Sequence, residues 1–169
     1  QALAEELSRR RIEVVVGNAY DVWNYFRPHR TYGIALAVDF FNDHKDGCSL
    51  TLNRVCPALT RDFAYNLSNH YDILTPRIRW RSFLFVDSYD RQWYRFFNRV
   101  SAEVKLIIYP ATLTNEGDMD AYLSARDGII RAFADEIARC LRSNYDYNSY
   151  AKAAKVARIR INERMKRNG

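Results

Sequence analysis

The chain has 169 residues, 26 Lys+Arg against 20 Asp+Glu, and a formal net charge of +6. That length fits one domain, or one domain with arms, and is enough to bury a core without disulfide staples. Six glycines and four prolines exclude collagen-like and low-complexity classes, and no apolar run is long enough for a transmembrane helix. No signal-peptide pattern is visible at the start. The charge is not spread evenly. Residues 152–169 hold seven bases against one acid, Glu163, while residues 1–151 hold nineteen of each sign. The excess is therefore a C-terminal basic arm on a balanced body, and it points to an anionic partner without naming one.

In chain order, residues 2–11 read as a polar helix, and residues 12–16 are β-branched and suited to an extended strand. Residues 20–26 form an aromatic-rich segment that ends at Pro28. In residues 32–43, Ile34, Ala37, Val38 and Phe41 make a helical stripe, which Gly47 breaks. Residues 50–55 and 59–67 look like helical pieces separated by Pro57. Arg77, Arg79 and Arg81 alternate with Ile78 and Trp80, which predicts a short strand leading into residues 83–86. A helix is expected over residues 88–105, with Trp93, Phe96, Phe97, Val100 and Val104 as its apolar face and Arg91, Arg95 and Arg99 alongside. A loop follows Pro110. Asp118 is a plausible cap for a last long helix carrying Met119, Leu123, Ile130, Phe133, Ile137 and Leu141. That helix is expected to end near Ser143-Asn144 in a tyrosine-rich turn before the basic arm. Four amphipathic helices predict an all-α fold, an antiparallel four-helix bundle with short extended segments and terminal arms. Its units are an N-terminal arm 1–17, a bundle domain 18–151 and the basic arm 152–169.

Catalytic motifs are absent. No phosphate-cradling glycine loop, nucleophile elbow or zincin helix occurs, so no enzyme and no cofactor are expected. Cys48, Cys56 and Cys140 show no CxxC spacing and read as reduced thiols of a cytosolic protein. A zinc site from His44, Cys48, Cys56 and His70 matches no usual spacing. Glu116, Asp118 and Asp120 are weak candidates for cation binding, explained more simply by the helix dipole. Arg126 interrupts the last apolar stripe beside Asp127, with Arg131 one turn on. It could form an intrachain pair or contact phosphate, for which arginine is well shaped.

The order of these landmarks resembles the coat proteins of rod-shaped plant RNA viruses, the tobacco mosaic, tobacco rattle and barley stripe mosaic group (Virgaviridae type). The likeness is carried by Val22-Trp23-Asn24-Tyr25-Phe26, by Leu52-Asn53-Arg54-Val55-Cys56-Pro57, by Phe83-Leu84-Phe85-Val86-Asp87 entering the helix after it, and by Ile130-Arg131-Ala132 with the closing Tyr147-Asn148-Ser149-Tyr150. The resemblance implies a structural capsid protein that self-assembles into a helical virion and packages single-stranded RNA without sequence preference. It implies RNA contacts from Arg95, Arg99, Lys105, Arg126, Asp127 and Arg131, with Glu116, Asp118 and Asp120 at subunit contacts. The partners would be RNA and further copies of the chain, with no membrane, in the virion and host cytoplasm. The alternatives are a small basic nucleic-acid-binding regulator and a helical interaction protein that uses its basic arm.

Overall fold

Four stretches rich in β-branched and aromatic residues pair into one sheet instead of joining a bundle. The computed structural model describes residues 1–17, 32–43, 45–86 and 94–167, with the backbone alone for 82–86, 94–95, 99 and 143–167. The elements are α1 (Ala2–Arg9), β1 (Tyr32–Val38), β2 (Cys48–Asn53), α2 (Ala58–Leu74), β3 (Trp80–Val86), α3 (Tyr94–Arg99), β4 (Ala102–Tyr109) and α4 (Glu116–Arg167). The strand order is β1-β4-β2-β3. β1 runs parallel to β4, with Ala35 opposite Lys105. β2 runs parallel to β3 and antiparallel to β4, with Leu50 opposite Ile108. A parallel neighbour needs a crossover, and α2 supplies it between β2 and β3.

Side chains alternate across a strand, and both faces of this sheet are covered. Leu50, Leu52, Val104, Leu106 and Ile108 belong to one cluster with Phe63, Leu67 and Tyr71 of α2 and Ile129, Phe133 and Ile137 of α4. Ile107 and Tyr109 pack on the opposite face against Phe97, with Ala37, Phe41 and Phe96 beside them. α1 joins the first side through Leu7 and through Arg10, just beyond it, which pairs with Asp135 of α4. The result is an α/β fold of helices on a mixed sheet, not an all-α bundle.

The corrections have local causes. Residues 32–38 carry no charge on either face: Ile34 and Leu36 pack against one cluster and Ala37 against the other, though most of β1 is only half-buried. Such a run has no period of two and mimics a helical stripe. Residues 50–55 are misread for the same reason: β2 is buried from Cys48 through Leu52. Among the described residues of the helix expected over 88–105, Tyr94–Arg99 are helical and the rest are not. Past Val100 the chain turns into β4, where Val104, Ile107 and Ile108 suit a pleated surface better than a helix. Residues 18–31 and 87–93, which include the Trp23 segment, lie outside the described residues. α4 passes through the expected tyrosine-rich turn without a break and reaches Arg167. At 52 residues it is about 78 Å long. Its buried face is Ile129, Phe133, Ala134, Ile137 and Cys140, while Leu123 is exposed.

Phe63 is wholly buried between α2 and the sheet. Phe63→Ala is expected to lower unfolding free energy by about 3–5 kcal/mol, read as a drop in the urea midpoint.

Candidate functional site

One cluster of polar side chains, Asp43, Arg81, Thr112, Thr114 and Asp118, gathers at one end of the sheet. There β1 and β4 finish, β2 and β3 begin, and α4 starts. The chain leaving β1 stays beside the chain leaving β4. Phe41 N–H donates to Ala111 O at 3.1 Å and Leu113 N–H donates to Phe41 O at 2.8 Å. The Phe41 ring stacks on Tyr109 with centroids 4.3 Å apart, and the Arg81 guanidinium lies 3.8 Å over its other side.

Arg81 is the hub. Its two terminal nitrogens donate to the Asp43 carboxylate at 2.8 and 2.7 Å, a fork geometry that arginine alone offers. Its Nε donates to Asp46 O at 2.9 Å, and Nη2 also donates to Thr112 Oγ1 at 2.8 Å. Thr112, wholly buried, passes its own proton to Lys45 O at 2.8 Å. Thr114 Oγ1 donates to Asp43 O. The Arg81 hydrogen bonds, followed by the Lys45 backbone N–H, hold the Asp43 carboxyl below its ordinary value. Arg81 is nearly enclosed while Asp43 is half-exposed.

A second anchor ties the loop to α4. Asp118 is buried, and its Oδ2 accepts the Gly47 N–H at 2.6 Å. The Asp118 N–H is in turn taken by Asn115 Oδ1 at 3.0 Å, so Asn115 caps the helix. Gly47 has φ +117°, and a Cβ there would collide with Arg79 O; only glycine fits. Cys48 follows, its thiol pushed up to about 12 by burial and then by Asp118. Tyr71 donates its hydroxyl to Pro110 O, and burial raises its pKa. Both groups stay protonated and are poor nucleophiles. Asp43, held ionised by its partners, is the reverse of a general base poised near neutrality. The cluster fixes the β1–β2 loop, with Asp43 its half-exposed carboxylate.

Of the residues expected to line an RNA groove, Lys105 lies on one side of the sheet and Arg126 and Arg131 on the other. Lys105 belongs to the α3 side of the sheet, where its Nζ donates to Phe97 O at 2.6 Å and burial lowers its pKa. Arg126 and Arg131 are exposed on α4, across the sheet. Arg126 pairs with Asp127 at 3.4 Å, the intrachain alternative. The side chains of Arg95 and Arg99, in α3, are outside the described set. Glu116 and Asp120 are exposed on the first turns of α4, while Asp118 is occupied inside the fold. Among the described residues no three His, Cys, Asp or Glu side chains converge as metal ligands would. Cys48, Cys56 and His70 form no such group, and His44 lies outside that set. Sequence reasoning missed Arg81, Asp43 and Thr112; the one signal was the Asp46-Gly47 turn pair before β2.

No protein-family model matches the chain, and no curated protein does. Solved structures do. An N-acetylmuramoyl-L-alanine amidase from Clostridium difficile 630 superposes with a TM-score of 0.63 at 12% identity, over 84% of this chain and 79% of that one. The fold is the amidase fold. The CwlD amidase of Clostridioides difficile, solved in complex with the GerS lipoprotein, gives 0.62 at 9% identity over 84% and 82%. The AmiC2 amidase of Nostoc punctiforme gives 0.58 at 12% over 83% and 79%. These likenesses overturn the coat-protein resemblance. With it go the capsid function, the RNA partner, the helical assembly and the placement in a virion and host cytoplasm. The expectation of a non-enzyme is overturned as well, because the proteins sharing this fold are enzymes.

Two outcomes follow for the anchors. Asp118→Ala leaves the buried Gly47 N–H unpaired and is expected to cost about 1–3 kcal/mol, measured by urea unfolding. Asp43 has a folded pKa below its ordinary 3.8, so its contribution to stability is present above the unfolded value and lost as pH falls through the folded one. Asp43→Asn should therefore lower the melting temperature at neutral pH and converge on the unmutated protein in acid.

Proposed function

We propose that this chain hydrolyses the amide that links a peptide to an amino-sugar acid, the bond between N-acetylmuramoyl and L-alanine in peptidoglycan. The observation that carries this is a fold shared with such amidases over about four-fifths of both chains. Hydrolysis adds water across the amide. The water oxygen bonds to the carbonyl carbon, the C–N bond breaks, and the leaving amine takes a proton. The resonance that keeps an amide planar makes it a poor electrophile, so the water needs activation and the oxyanion needs donors. None of Asp43, Cys48 and Tyr71 is suited to that activation. Arg81, Asp43, Thr112, Asp118 and Gly47 instead hold rigid the loops where β1 and β4 end, and loops on a rigid scaffold are where α/β folds place ligands.

Purified bacterial sacculi provide the test, incubated with the full chain in separate arms with added divalent metal and with chelator. Newly exposed α-amino groups should appear in at least one arm, identified after derivatisation as N-terminal alanine, with no rise in reducing sugar ends. Absence of new alanine termini in every arm, or reducing ends in their place, would overturn the assignment.

A further inference from the structure

The turn before β3 carries a basic pair that the Arg81 hub does not use. Thr75 and Ile78 close this turn, the Ile78 N–H donating to Thr75 O at 3.0 Å. Pro76 takes its second position, where a fixed φ is favoured. Ile78 is buried in the main core cluster. Arg79 O accepts the Cys48 N–H at 2.8 Å, which ties the same stretch to the start of β2. Arg77 and Arg79 flank Ile78 and are both exposed, so their side chains project away from that core. The donors of Arg81 are engaged by Asp43, Asp46 and Thr112. Among the described residues, neither the Arg77 nor the Arg79 guanidinium has a hydrogen-bond or ion-pair partner. The pair borders the candidate site, since Arg79 lies directly against Gly47 of the β1–β2 loop.

We propose that Arg77 and Arg79 hold a carboxylate of the substrate's peptide, close to the amide that is cut. This subsite deepens the amide-hydrolysis reading and rests on it. A guanidinium meets a carboxylate as a fork, and two of them without an acid of their own can be neutralised by an incoming anion. Their backbone is already fixed by the turn and by β2, which lowers the ordering cost of binding. Asp43, on the intervening loop, is neutralised by Arg81, and this weakens its repulsion of a second carboxylate. The span also agrees. β3 stands two strand positions from β4, roughly 10 Å away. Two residues of extended peptide cover about 7 Å, and an acidic side chain reaches further. An amide held over the loops that leave β1 and β4 therefore brings the second residue of the peptide within reach of the turn before β3.

The test is a nuclear magnetic resonance titration of the full chain, isotopically labelled in its arginine side chains. One ligand is N-acetylmuramoyl-L-alanyl-glutamate, and the other is the same compound amidated at both glutamate carboxylates. The free acid should shift the Arg77 and Arg79 Nε–H signals and bind about tenfold more tightly than the diamide. Arg77→Gln with Arg79→Gln should bring the free acid down to the affinity of the diamide. Diamide binding and the melting temperature should stay unchanged in that variant, because both positions are exposed. Equal affinity for the two ligands, or full selectivity kept by the double variant, would overturn the proposal. So would inorganic phosphate that binds as tightly as the free acid, the mark of an unspecific anion site. The sacculus assay reports hydrolysis separately. Selective binding without cleavage there would sink the hydrolytic reading and leave the carboxylate subsite standing, whereas cleavage with equal affinity for both ligands would sink the subsite alone.

Discussion

The fold depends on β4 being apolar on both of its faces. Val104, Leu106 and Ile108 need a layer on one side, and Ile107 and Tyr109 need one on the other. A strand of this kind cannot sit at a solvent surface, so the sheet must be a middle layer. That single demand places α2 and α4 on one face and α3 on the other. It also puts β1 and β2 on either side of β4, so that β4 pairs with β1 from Ala102 to Ile108 and with β2 over Ile107–Tyr109. The loop cluster at the end of β1 and β4 is a consequence. Two strands that finish side by side bring their following residues together, and Phe41 and Thr112 meet there.

The Arg81 hub shows how such an end is stabilised. An arginine shielded by an aromatic ring and bonded to a carboxylate, a carbonyl and a hydroxyl has its donors well used. Removing one partner would leave a largely enclosed charge undercompensated, which costs more than the pair contributes. Asp118 is in the same position with respect to Gly47. These groups make the loop geometry a property of the fold, whatever chemistry the loops serve. The one-sided charge of residues 152–169 stands apart from that logic, since the folded body is neutral without it.

The sequence was legible where one face of an element is wet. α4 was visible from its stripe because the opposite face carries Asp127, Arg131 and Asp135 in solvent. β3 was visible because Arg77, Arg79 and Arg81 alternate with Ile78 and Trp80, and α1 and α2 were near their expected places. β1, β2 and β4 were not: β2 and most of β4 are buried on both faces, and the half-buried β1 carries no charged residue, so none has a polar half to reveal its period of two. The anchors were hidden for another reason. Arg81 lies 38 residues from Asp43 and Gly47 lies 71 from Asp118, so only the strand pairing brings them together. The coat-protein likeness failed by the same route. Its landmarks were aromatic segments whose order could be read, while the alternation that separates sheet from bundle could not.

Residues 102–109 form a strand covered on both sides and paired antiparallel with β2 at its end. Cross-strand nuclear Overhauser contacts around Leu50 and Ile108, measured on the isotopically labelled protein, test it most directly. Backbone contacts between the two segments are expected, with amides of residues 104–108 among the slowest to exchange. Sequential amide–amide contacts running helically through residues 100–109, with none to residues 49–51, would contradict it.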